Sequence, residues 1–195
     1  MIEGTPGRGR HVLRPIVLIG LMGAGKSSVG QRLAQMLGTR FVDSDTEVEA
    51  AAAMTVSEIF AALGEASFRE GERRVIARLL EAGPCVMATG GGAFMAEETR
   101  SVIAERAVSV WLVADLDLLV KRTAGRTHRP LLNTGDPRAT LAKLIETRYP
   151  VYAKADLHVQ SEAGQSHENM AVRIVEALVV HGQRTGQGAL GEEEV

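Results

Sequence analysis

The chain has 195 residues, enough for one domain with a self-sufficient core. Its 22 Lys and Arg stand against 24 Asp and Glu, and only 4% of residues are aromatic. Bulk charge and base stacking therefore argue against nucleic acid or an anionic membrane as partner. No apolar run reaches the length of a membrane span and no signal peptide is visible, so a cytoplasmic soluble protein is the default, and a monomer is the expected state. The single Cys85 cannot form an internal disulfide and reads as a small core residue.

Residues 1–14 carry three Gly, one Pro and three Arg without periodicity and read as a flexible basic tail. The domain proper is expected over 15–181. Pro15-Ile16-Val17-Leu18-Ile19 is a short apolar run, read as a buried strand. It enters Gly20-Leu21-Met22-Gly23-Ala24-Gly25-Lys26-Ser27, which matches the phosphate-binding loop G-x-x-x-x-G-K-[ST]. Gly20, Gly23 and Gly25 let the backbone turn its N–H groups onto a phosphate. Lys26 supplies a charge near the β- and γ-phosphates, and the Ser27 hydroxyl is a Mg²⁺ ligand. A helix from Gly25 to Leu37, apolar at Val29, Leu33, Met36 and Leu37, places its positive end at the anion.

A second strand, Thr39 to Val42, ends in Asp43-Ser44-Asp45. Carboxylates at the C-terminal end of a strand lie where open α/β sheets bind ligands; the plainer reading makes Ser44 or Asp45 a helix N-cap. Thr55-Val56-Ser57-Glu58 is a capping box for a short helix stopped by Gly64. A longer helix, Glu65 to Leu80, carries Arg69 and Glu72 three residues apart, a spacing that permits an ion pair. Pro84 to Ala88 is the next strand, running into Thr89-Gly90-Gly91-Gly92. Three glycines there are entropically costly and mark a place where a ligand approaches the backbone, unless they are a plain turn.

Ala96 to Arg106 reads as a helix, Ala107 to Val113 as a strand and Asp115 to Thr123 as a helix. Gly125 to Arg138 has no apolar periodicity but holds Arg126 and Arg129, with Arg122 just before it; it reads as a cationic lid, about 123–138. A helix over Ala139 to Arg148, a strand over Asp156 to Val159 and a helix over Asn169 to Val180 follow. Residues 182–195 end in Gly-Glu-Glu-Glu-Val and read as a flexible acidic tail. The five histidines show no metal-ligand spacing.

Strands alternating with helices predict an α/β fold: a five-stranded parallel sheet covered on both faces, with a phosphate loop after the first strand. The absence of an Asn-Lys-x-Asp motif argues against a switch GTPase, and the size against most multidomain motor ATPases. Phosphoryl transfer to a small molecule needs a phosphate cradle, Mg²⁺, a positioned acceptor hydroxyl and cations on the transferring group. The phosphate loop, Asp43, Asp45 and the arginine-rich segment supply those parts.

The residues then carry a resemblance. The phosphate loop, Asp43-Ser44-Asp45, Ile59-Phe60, Gly64-Glu65, Phe68-Arg69, Thr89-Gly90-Gly91-Gly92, Arg129-Pro130-Leu131-Leu132, and Arg148 with Pro150 and Tyr152 together resemble the shikimate kinase family, from about Ile16 to Val180. The resemblance implies ATP-dependent phosphorylation of the 3-hydroxyl of shikimate, a step toward chorismate and the aromatic amino acids, with Mg²⁺ as cofactor. It implies ATP contacts at Gly23, Ala24, Gly25, Lys26, Ser27, Ser28, Arg122, Arg129 and Gln165. Substrate contacts fall on Asp45, Arg69, Gly90, Gly91, Gly92 and Arg148, within a substrate segment about 43–72 and beyond it. Lys26, Asp45 and Arg129 are the implied catalytic residues; Ser27 and, through water, Asp43 are the implied metal contacts. Glu72 would orient the substrate arginines, and Phe60 and Phe68 would line the pocket. Ser28 stands where the family usually has Thr, the loop Ser161 to Ser166 is a residue longer, and neither tail has a family counterpart. Rival readings are a gluconate or nucleoside kinase and a non-catalytic ATP-binding regulator.

Overall fold

The computed structural model describes residues 10–124 and 136–192. The sheet comprises β2 (Ile16–Ile19), β3 (Phe41–Asp43), β4 (Val86–Ala88), β5 (Val108–Val113) and β6 (Leu157–Gln160). All neighbours run parallel in the order β3-β4-β2-β5-β6. The central strands are continuous apolar runs because both faces are covered: every residue of β2 and of β4 is buried. Cys85 lies fully buried beside β4, and burial raises its thiol pKa, which suits a core residue.

The helices are α1 (Lys26–Met36), α2 (Ser44–Ala52), α3 (Val56–Glu81), α4 (Glu97–Arg106), α5 (Leu116–Thr123), α6 (Pro137–Tyr152) and α7 (His167–Thr185), with a 3-10 turn at Ala93–Met95. α1 packs on α7 and β4, α3 on α2 and α4, and α5 on α6. The expected α/β architecture is present. Because the strands are parallel, the loops that follow β2, β3, β4 and β6 leave the same edge of the sheet. That edge gathers the phosphate loop, the acidic pair, the glycine triplet and the 161–166 loop.

The two expected helices after Thr55 are present within α3, separated by a kink at Gly64 (φ 78°, ψ 170°), a conformation that glycine adopts without strain; other local expectations change. The capping box of Thr55 and Glu58 is present. The cap at the acidic pair is neither Ser44 nor Asp45 but Asp43, whose carboxylate accepts the Asp45 N–H at 3.1 Å. α6 does not stop at Arg148: it continues through Pro150 to Tyr152, its last turn tied down by the Tyr149 and Tyr152 hydroxyls. α7 starts two residues earlier than expected, on a Ser166 cap, and runs past Val180 to a left-handed Gly186.

The terminal segments are also partly structured. β1 (Arg10–Val12) pairs antiparallel with β7 (Leu190–Glu192), and the Leu13 N–H donates to the Ala189 carbonyl at 2.8 Å. Val12 and Ala189 are buried. The reading of 1–14 and 182–195 as free tails therefore fails over the described parts. Two three-residue strands at opposite ends carry too little periodicity to be read locally.

Candidate functional site

The phosphate loop turns tightly between β2 and α1. Gly23 (φ 85°) and Gly25 (φ 98°, the α1 N-cap) sit in the left-handed region, which is why these positions need glycine. Lys26 Nζ donates to the Gly20 and Leu21 carbonyls at 2.8 and 3.2 Å. The first α1 turn holds Ser27 and Ser28, both exposed. Ser27 Oγ donates to Asp43 Oδ2 at 3.0 Å. The Asp43 carboxylate thus joins two elements, since its other oxygen caps α2. Ser27 and Asp43 present hard oxygens at the mouth of the loop, a donor set that suits Mg²⁺. Among the described residues no group of three His, Cys, Asp or Glu gathers to hold a metal. A divalent ion there would complete its shell with water and phosphate oxygens, as Mg²⁺ ordinarily does.

Beside this loop, the glycine triplet is enclosed by charged side chains. None of its three glycines has a positive φ. Space, rather than backbone conformation, demands glycine. A Cβ on Gly90 would lie 2.5 Å from Asp45 Oδ1 and 3.1 Å from Glu72 Oε1. One on Gly92 would lie 2.3 Å from an Arg69 terminal nitrogen. One on Gly91 would lie 3.1 Å from Arg148 and 3.7 Å from the Gly20 carbonyl of the phosphate loop. Asp45, Arg69, Glu72 and Arg148, drawn from α2, α3 and α6, therefore converge on Gly90–Gly92 next to the phosphate loop.

Their electrostatics are coupled. Arg69 donates to Glu72 Oε2 at 2.7 Å and lies over the Phe68 ring at 5.0 Å and the Phe60 ring at 6.0 Å. Glu72 is buried, and its Oε1 has no hydrogen-bond partner among the described residues. Burial raises the Glu72 pKa, opposed by the Arg69 charge. Burial, and then the Asp43 carboxylate, raise the Asp45 pKa, opposed by Lys26 and Arg69. Arg148 donates to the Gly91 carbonyl at 2.8 Å. The pocket is bipolar: guanidinium groups with planar donor forks on one part, carboxylates on another.

At the far side of the phosphate loop, Arg122 donates to Ser161 Oγ at 2.9 Å, to the Ala24 carbonyl at 3.5 Å and to the Glu162 carbonyl at 3.3 Å. This draws the 161–166 loop against the phosphate loop. Gln165 accepts from the Glu162 N–H at 3.2 Å in that loop. Arg129, and most of the expected lid, lie outside the described residues. The lid's expected end does not hold: Asp136 caps α6, so 137–138 are helix. Sequence reasoning missed the Asp43 cap and the Ser44 hydroxyl, which accepts the Gly90 N–H at 3.3 Å. It also missed the second donor on the Gly91 carbonyl, Tyr152. Only Asp43 had a local signal, the Asx preference for N-caps.

Comparison with known proteins follows the same lines. The family model described as shikimate kinase matches residues 22–179. A shikimate kinase of Paramagnetospirillum magneticum is 57% identical over 168 residues, covering 86% of each chain. One of Rhodopseudomonas palustris is 56% identical over 165 residues, 85% of this chain and 81% of that one. The solved structure of shikimate kinase from Acinetobacter baumannii in complex with shikimate superposes with a TM-score of 0.79 at 34% identity, covering 88% of this chain and 95% of that one.

Proposed function

We propose a function from one premise: this chain belongs to the shikimate kinase family. It is a kinase that transfers the γ-phosphoryl group of ATP to the 3-hydroxyl of shikimate, giving shikimate 3-phosphate and ADP. The observation that carries this reading is the convergence of Arg69, Arg148, Asp45 and Glu72 on the glycine triplet, directly beside the phosphate loop. A ligand with a carboxylate at one end and vicinal hydroxyls at the other matches that charge pattern.

The residue roles are part of the proposal. Gly23, Ala24 and Gly25 cradle the phosphates with backbone N–H groups, and Lys26 and Ser28 flank them at the α1 N-terminus. Lys26 leaves the Gly20 and Leu21 carbonyls for the γ-phosphate oxygens, where charge develops in the transition state. Ser27 would hold Mg²⁺ directly and Asp43 through water; when bound, the ion neutralises phosphate charge. Arg69 and Arg148 grip the shikimate carboxylate, and Gly90, Gly91 and Gly92 leave room for the ring at the backbone. Asp45 holds the 3-hydroxyl and draws on its proton; its raised pKa makes it a better base than an exposed aspartate. Glu72 keeps Arg69 in place. Arg122 and Gln165 border the adenine, with Arg122 on the Ala24 carbonyl as support. Arg129 acts on the γ-phosphate from the lid.

The same reading takes the protein as a monomer acting on small molecules in the cytoplasm; no helix of the described residues is long and apolar enough to cross a membrane. A coupled ADP-release assay against shikimate, gluconate and a nucleoside panel tests the substrate. Shikimate alone is expected to sustain turnover. Turnover on gluconate or a nucleoside with none on shikimate would overturn the assignment.

A further inference from the structure

We propose that Tyr152 is a positioning residue for shikimate recognition: with Arg148 it fixes the Gly91 carbonyl, and so sets which edge of the Arg148 guanidinium meets the substrate carboxylate. The inference rests on the reading of Arg148 as a carboxylate clamp. Tyr152 closes α6 and is fully buried. Arg148 lies four residues earlier, one helical turn away on the same face. Both donate to one atom: the Tyr152 hydroxyl and Arg148 Nη1 hydrogen-bond the Gly91 carbonyl, the latter at 2.8 Å. Burial raises the Tyr152 pKa, while the nearby Arg148 guanidinium opposes it.

A carbonyl oxygen has two lone pairs, and here each is filled. The Gly91 carbonyl and a substrate carboxylate compete for the same guanidinium. While Tyr152 fills one lone pair, the carbonyl needs only one of the five Arg148 N–H donors. The tyrosine itself is held rigid: its ring lies 6.0 Å from Trp111 and 6.2 Å from Tyr149. Without the hydroxyl, the carbonyl has an open lone pair in a buried place, and the guanidinium turns to fill it. A fork turned toward Gly91 no longer presents two parallel N–H groups to a carboxylate.

Tyr152→Phe removes the hydroxyl and keeps the ring. We expect the shikimate KM to rise about tenfold, the scale of one charge-assisted hydrogen bond. The ATP KM and kcat are expected to stay within about twofold, with the melting temperature nearly kept. Tyr149→Phe is the control: it removes a phenol of the same helix whose partner is the Ala114 carbonyl, and the shikimate KM is expected to hold. A crystal structure of Tyr152→Phe is expected to show the Arg148 guanidinium rotated onto Gly91. An unchanged shikimate KM, an equal rise in both KM values, or loss of folding would overturn the proposal. If the wild-type enzyme itself does not phosphorylate shikimate, the substrate assignment fails separately. The crystal structure then still decides: an Arg148 fork in its original place means that Tyr152 positions nothing.

Discussion

Gly92→Ala perturbs the Arg69 clamp without replacing a charged residue. Gly92 has φ −98° and ψ −17°, a backbone that alanine adopts freely, so no strain is introduced there. The three atoms nearest the new methyl all belong to the Arg69 guanidinium, at 2.3, 2.6 and 2.7 Å. Ordinary contact begins at 3.4 Å, so the guanidinium must retreat by about 1 Å. Arginine is flexible and partly exposed, so the guanidinium moves without displacing the backbone, but it leaves the buried Glu72 carboxylate less well paired, and the melting temperature is expected to fall somewhat as well. The retreat breaks the alignment of the fork with Glu72 and with the substrate carboxylate. Losing one charge-assisted hydrogen bond costs about 1.5–3 kcal/mol, which is roughly ten- to a hundredfold in affinity. Steady-state kinetics with each substrate varied in turn should show that rise in the shikimate KM and an ATP KM within about twofold. Wild-type kinetics for both substrates would refute the placement of Arg69. An equal rise in both KM values would show that the methyl disturbs the whole site.

Three other substitutions bear on separate parts of the account. Lys26→Ala is expected to abolish measurable turnover in a folded protein, checked by the ADP assay with circular dichroism, because it removes charge from the developing phosphate oxygens. Asp45→Asn should lower kcat by roughly a hundredfold or more yet raise the melting temperature at pH 7. The folded pKa of Asp45 lies above its ordinary 3.8, so folded protein binds that proton more tightly than unfolded chain does. Wild-type stability then declines as pH rises above that ordinary value, and the variant's advantage should close as pH falls toward about 4. A lower melting temperature at pH 7, or a gap that does not depend on pH, would contradict the sign. Deleting residues 1–14 and 184–195 removes the β1–β7 pairing and the buried Val12 and Ala189, so a melting temperature lower by several degrees is expected.

The parts of this site that were legible in sequence share one property: their chemistry is contiguous. The phosphate loop, the acidic pair and the glycine triplet each follow a short apolar run, and strand-loop order alone sends them to one edge of a parallel sheet. The illegible parts join residues far apart. Arg148 and Gly91 are 57 positions apart, Ser44 and Gly90 are 46, and no local period encodes either contact. Pro150 lacks an N–H, yet α6 runs through it to Tyr152, with the Tyr149 and Tyr152 hydroxyls on the Ala114 and Gly91 carbonyls. The role of Asp43 was obscured because three candidate caps stand in a row, and only the path of the chain decides which side chain faces the first free N–H groups.

The central claim is that the phosphoryl group arrives on one hydroxyl of one substrate. Incubating the enzyme with ATP, Mg²⁺ and shikimate and following the product by phosphorus and proton NMR tests it directly. The account predicts stoichiometric loss of the ATP γ-phosphate and a phosphorus resonance coupled to the proton at C3. A phosphate coupled to another ring proton, or ADP formed with only inorganic phosphate released, would contradict it.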